Sequence, residues 1–263
     1  KACLLRTFPS FAIPFITQTP LSLGSASLLF QATISVMAFG VAMAWLAVPL
    51  LRPDPVAHAS ATQCAFRFNT FIGLSLAGGL GGAAGQTTMA VIVGIAVPFS
   101  NMAAVHALAR QNGGKVFKEI LRNPFIIATV LGLLANMLGV PIPKPIDVTL
   151  GRLGACAIAV GLMCVGATLS LSSGRGQEKL IGWMVAVRLL LTPIAAIFIG
   201  WVLHMPPAER HLLLLFGALP TASSAHVLAA RMGGNGRLVA GIMSLGTLLS
   251  ALTIPFWLMI GSL

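Results

Sequence analysis

Apolar runs long enough to cross a membrane follow one another along the whole chain, and the interruptions between them are short. A bilayer core about 30 Å thick needs roughly 20 apolar residues per helix. Charges, Pro/Gly clusters and polar runs divide the sequence into nine predicted spans, at residues 2–21, 26–51, 66–80, 87–109, 121–140, 153–171, 180–204, 211–230 and 238–260. Two depart from the ideal. Residues 66–80 are few and begin with Asn69 and Gly73, and residues 211–230 are interrupted by Gly217, Pro220 and three hydroxyl residues.

The pattern also repeats. At a constant offset of 152 residues, Gly81-Gly82 falls on Gly233-Gly234, Gly94 on Gly246, Asn69 on Thr221, and the apolar run 29–49 on 181–201. Identities are few, so the repeat lies in hydropathy and glycine placement. Applied in reverse to residues 121–140, the offset points upstream of residue 1, where the first helix of the first repeat is expected. The expected whole is five plus five helices, and an odd number per repeat makes the halves insert in opposite directions, as in many secondary transporters. The predicted fold class is an all-α polytopic membrane protein of two inverted five-helix repeats, nine of the ten helices being present. Residues 1–110 form the first repeat without its first helix, 111–120 a cytoplasmic connector, and 121–263 the second repeat.

Composition agrees. Of 263 residues 57% are hydrophobic and only 8% charged, with mean hydropathy +0.96, which excludes a soluble globular domain and a disordered chain. Sixteen Lys and Arg against five acids give a net charge of +11. In a membrane protein that excess reports sidedness. Counted by alternate loops, twelve basic residues, among them Arg52, Arg67, Arg110, Arg231 and Arg237, fall on one side, and Lys144, Arg152 and Arg210 on the other. The positive-inside rule assigns the twelve to the cytoplasm. No basic cluster is interleaved with aromatics and there is no Tyr, so nucleic acid is not an expected partner. The four cysteines stand singly, without CxxC spacing, and neither a disulfide framework, a metal site nor a cofactor is expected.

The chemistry is expected at the two interrupted spans, because matched broken helices near the midplane expose N–H groups and unwound carbonyls. One break is read at residues 68–73, the other at 217–224. Pro220 removes a helical hydrogen bond, Gly217 relaxes the backbone, and the freed N–H groups suit a carboxylate. Asn69 adds an amide, and Thr221, Ser223 and Ser224 add hydroxyls. Arg188 is the charge inside a span, read either as attracting an anionic substrate or as bracing the fold. His226 is read as a polar contact or as a proton-coupling group. Gln31, Asn101 and Asn136 are candidates for interhelical hydrogen bonds, and His58 is read as interfacial. No HExxH, P-loop or GxSxG pattern occurs, so an enzyme is not expected.

Three segments carry a resemblance: Leu121-Arg122-Asn123-Pro124-Phe125-Ile126-Ile127-Ala128-Thr129-Val130-Leu131-Gly132, Leu219-Pro220-Thr221-Ala222-Ser223-Ser224-Ala225-His226-Val227-Leu228-Ala229, and Phe66-Arg67-Phe68-Asn69-Thr70-Phe71-Ile72-Gly73. Together the chain resembles the auxin efflux carrier family of plant and bacterial transporters, from the second of its ten helices onward. The resemblance implies broken fourth and ninth helices crossing at the substrate site, homodimers in the bacterial inner membrane, and elevator-like movement of a transport domain. It implies organic anions as substrates, among them auxin, malonate and malate. On that analogy Asn69, Thr70 and Gly73 match one crossover, and Pro220 through Ser224 the other. Gly73 is followed by Leu74-Ser75-Leu76 where many members carry a proline, which predicts a less sharply broken fourth helix. The alternative reading is a non-transporting receptor that binds a small carboxylate in the same pocket.

Overall fold

The structure, a computed structural model, describes residues 23–112 and 176–261, with isolated positions between 143 and 163. The predicted spans 2–21 and 121–140, most of 153–171 and most of the connector lie outside the described residues. Among the described residues all regular structure is helical. Helix α1 covers Leu23–Leu51 and α2 Pro55–Thr62, the latter prolonged by a 3-10 turn, Gln63–Ala65. Helix α3, Thr70–Asn112, doubles back at Gly81 and Gly82. Helix α4, Glu178–Ala186, passes through a π turn, Val187–Leu191, into α5, Thr192–Val202. Then come α6, Pro207–Ala218, α7, Ala225–Arg231, and α8, Gly236–Gly261.

The stretch 55–65, expected to be loop, is helical. Asp54 caps it, its Oδ2 accepting the Ala57 N–H at 2.8 Å, and Pro55 occupies the first turn, where no N–H is missed. At 1.5 Å rise per residue, residues 55–65 and 70–80 each climb about 16 Å. Together they make one membrane crossing interrupted at half depth. Helices α6 and α7 make the second, rising about 18 and 10 Å on either side of their break. The short span read at 66–80 was therefore half of a longer one.

The turn in α3 needs glycine. Gly82 adopts φ 58°, ψ −146°, a conformation nearly closed to residues with a Cβ. The described elements then recur in order at the offset read from the sequence, with a long helix, a broken helix and a long helix in each set. Pro55 and Pro207, 152 residues apart, open the two broken helices.

One end of the bundle gathers the start of α2, the end of α3 and the α7–α8 loop. There the Asn235 N–H donates to Ser60 Oγ at 2.8 Å, and a Cβ on Gly234 would lie 3.1 Å from Leu108 Cδ2. The Trp183 indole, early in α4, donates to the Met43 carbonyl late in α1 at 2.9 Å, as antiparallel neighbours do. By chain order Arg52, Arg110, Lys179, Arg231 and Arg237 lie at this end. Arg67 does not, and its assignment to a loop is corrected below. His58, expected at an interface with water, is buried, with Nε2 2.9 Å from the Ala44 carbonyl.

Apolar packing forms two clusters that meet at the breaks. One contains Phe66, Phe68, Met89, Phe216 and Leu219, the other Cys64, Ala65, Met184, Ala225 and Ile242.

Candidate functional site: the crossing of two broken helices

Residues 66–69 form the first break and residues 219–224 the second. The first begins earlier than expected and is complete without a proline. Asn69 explains this: its Oδ1 accepts the N–H groups of Phe71 and Ile72 at 3.1 and 3.3 Å. It thereby starts α3 as an N-cap, and Gly73 falls inside the first turns of that helix.

The two breaks are joined through a main-chain pair and a side-chain hydroxyl. The Asn69 N–H donates to the Pro220 carbonyl at 2.8 Å, and Thr221 Oγ1 donates to the Cys64 carbonyl at the same distance. A Cβ on Gly73 would sit 2.7 Å from Leu219 Cδ1, so glycine lets the second break lie against α3. The rings of Phe68 and Phe216 meet edge to face, with centroids 4.8 Å apart.

A break in a membrane helix leaves carbonyls that must find donors inside the protein. Pro220 has no N–H to return to Phe216, four residues earlier, and the Phe216 carbonyl instead accepts from Arg188 Nη2 at 2.8 Å. The Leu219 carbonyl accepts from Arg188 Nε. Thr192 Oγ1 also lies 3.0 Å from the Gly217 carbonyl, its one proton shared between that carbonyl and the Arg188 carbonyl. The π turn is supplied in the same way. Pro193 brings no donor to it, and the carbonyls of Arg188 and Leu189 take the Thr192 hydroxyl at 2.6 Å and the Trp257 indole at 2.8 Å. Arg188, 1% exposed, thus spends two of its N–H groups on the carbonyl end of α6, where a cation also complements the helix dipole.

The sequence-predicted residues divide accordingly. Asn69, Gly73, Pro220 and Thr221 are buried together at the crossing, with Thr70 partly buried at the start of α3. The Thr221 hydroxyl is committed to Cys64. Ser223 offers its carbonyl to His226 Nδ1 at 2.7 Å. Ser224 is exposed, and its hydroxyl accepts from Arg67. Asn69, only 2% exposed, keeps a buried Nδ2 without a partner. Of the predicted polar residues, Asn101 makes an interhelical bond, also to Arg67.

Arg67 is the residue that the reading of the sequence missed. Counted as a loop charge, it occupies the first break at half depth, donating to Gln63 Oε1, Asn101 Oδ1 and Ser224 Oγ at 3.1, 3.2 and 3.2 Å. The signal that could have found it was the absence of any charge from Pro55 to Phe66, enough for half a span on its own. The crossing therefore presents amide, hydroxyl and guanidinium donors and no carboxylate among its described residues, an inventory suited to an anion.

Broken helices that cross within a membrane bundle around polar groups are a feature of many membrane transporters. The chain belongs to the membrane transport protein family, the auxin efflux carriers, whose pattern matches residues 106–258. It is similar to the "Uncharacterized transporter YfdV" of Escherichia coli (strain K12), 25% identical over 142 residues, 54% of this chain and 45% of that one. It is similar also to an "Uncharacterized transporter" of Methanothermobacter thermautotrophicus, 27% identical over 145 residues, 55% of this chain and 48% of the other. The "Putative malonate transporter" of Rhizobium meliloti (strain 1021) is 27% identical over 183 residues, 64% of this chain and 57% of its own. The chain spans about half the length of these relatives.

Proposed function

We propose that this membrane transport protein is a secondary carrier of small organic anions, short carboxylates above all, which it exports or exchanges by alternating access. The observation that carries the reading is the Asn69 amide: a donor buried at the crossing with nothing to bind, in a setting where an unmet polar group costs free energy. A carboxylate oxygen at Asn69 Nδ2 would satisfy it. The name of the Rhizobium meliloti relative supports malonate as the first solute to try. Around this site the proposal extends to two inverted five-helix repeats, a homodimer in a bacterial inner membrane with its basic end in the cytoplasm, and an elevator-type movement of the crossing.

The test is counterflow of labelled malonate, malate and monocarboxylates in proteoliposomes containing the whole protein. Saturable exchange of at least one acid, reduced about tenfold or more by Asn69→Ala with folded protein unchanged, is the expected result, one lost charge-assisted bond being worth about that much. Full exchange in Asn69→Ala would overturn the site. Saturable binding with no exchange in the wild type would overturn the carrier and favour a receptor.

A further inference from the structure

Among the described residues Arg67 has no counter-charge. Its three partners, Gln63, Asn101 and Ser224, are neutral acceptors. The flanking acids in sequence are Asp54 and Glu119, the first of them a full half-helix away as the cap of α2. A guanidinium held at half depth without an anion is expensive, and such a charge is retained where something else completes it. The three contacts also fix the group. They come from the end of α2, from the second limb of α3 and from the residue that precedes α7, so both breaks and a third helix aim one cation. Of its five N–H donors, three are used, and the side chain remains partly open. Arg67 is two residues from Asn69, which bounds their Cα separation at about 7 Å. One small molecule can therefore reach both.

We propose that Arg67 is the fixed positive charge of the transport site and binds a carboxylate of the substrate, making the site selective for anions. The inference rests on the carrier reading above and deepens it. Gln63, Asn101 and Ser224 take one proton of Nη1 and both of Nη2, leaving the Nε–H and the second Nη1 proton, either of which can take the carboxylate. Asn69 Nδ2 takes a second oxygen of the same solute. The site thus relies on one full charge rather than on helix ends alone, and a solute without a carboxylate leaves that charge unpaired.

The experiment measures equilibrium binding of labelled malonate to the purified whole protein, with counterflow alongside, for the wild type and for Arg67→Gln, Asn101→Asp and Asn69→Ala. Arg67→Gln is expected to weaken binding about thirtyfold or more, the scale for truncating one partner of a buried charge pair. Because Arg67→Gln also removes three internal hydrogen bonds, Asn101→Asp is the second variant. It keeps the shape and the bond to Arg67 but supplies an internal carboxylate, and is expected to weaken malonate binding comparably while raising the unfolding temperature. Malonate binding within twofold of wild type in both variants, with binding lost in Asn69→Ala, would overturn the role of Arg67 and leave the carrier reading standing. Failure of the wild type to bind or exchange any carboxylate would overturn both.

Discussion

At the scale of single residues, the crossing depends on groups that satisfy one another's exposed backbone. Thr221 is the clearest case, since its hydroxyl serves the Cys64 carbonyl of the opposite break. Thr221→Val preserves shape and removes only that donor. It is expected to cost about 1 kcal/mol, the usual scale of a hydrogen bond between membrane helices, read as a lower unfolding temperature in detergent. No loss of stability would mean that the Cys64 carbonyl finds another donor. Asn69 and Pro220 were legible in the sequence because an amide and a proline inside apolar runs have few harmless explanations. Arg67 was not legible, because a basic residue at the edge of a short apolar run looks the same whether it ends a loop or occupies a break.

At the scale of elements, a broken span is hard to see because each half is shorter than the 20-residue template used to find spans. Residues 55–65 include His58, Ser60, Thr62 and Gln63, polar enough to read as loop. In the structure all four are buried, with local partners such as the Thr62 hydroxyl on the His58 carbonyl at 2.6 Å. Hydropathy averages could not anticipate that local satisfaction. The second broken helix was found more nearly in place because Pro220 marks it, although Gly217 proved helical, its lack of a side chain serving close approach to Thr192 and Pro193 instead. The turn in α3 allows a sharper test, since a Cβ added at either Gly81 or Gly82 would meet no atom within 4 Å. Any difference between them is a backbone effect. Gly82→Ala, at φ 58°, is expected to lower stability by about 1–3 kcal/mol, and Gly81→Ala, at φ −130°, by far less. Equal unfolding temperatures for the two variants would contradict this account.

At the scale of the whole molecule, the two breaks behave as one piece. Their mutual bonds include the main-chain pair of Asn69 and Pro220 and the Thr221 hydroxyl on the Cys64 carbonyl, so alternating access of the proposed kind would carry both together, with its sliding boundary elsewhere. Spin labels at the exposed positions Ser75 and Ala230 are expected to keep their separation within about 2 Å with and without malonate, less than the displacement of one helical turn. A larger change would show that the crossing opens. The spacing of the described elements was readable from hydropathy and glycine placement, whereas the bond between the Asn69 N–H and the Pro220 carbonyl was not, because main-chain pairing leaves no mark on residue identity.

That same anonymity has a further consequence. The bond between the Asn69 N–H and the Pro220 carbonyl does not depend on the side chains around it, so this part of the joint can persist while Arg67, Asn69 and Ser224 change. A carrier of the proposed kind would in this way be retuned from one solute to another by a few substitutions, without a new scaffold.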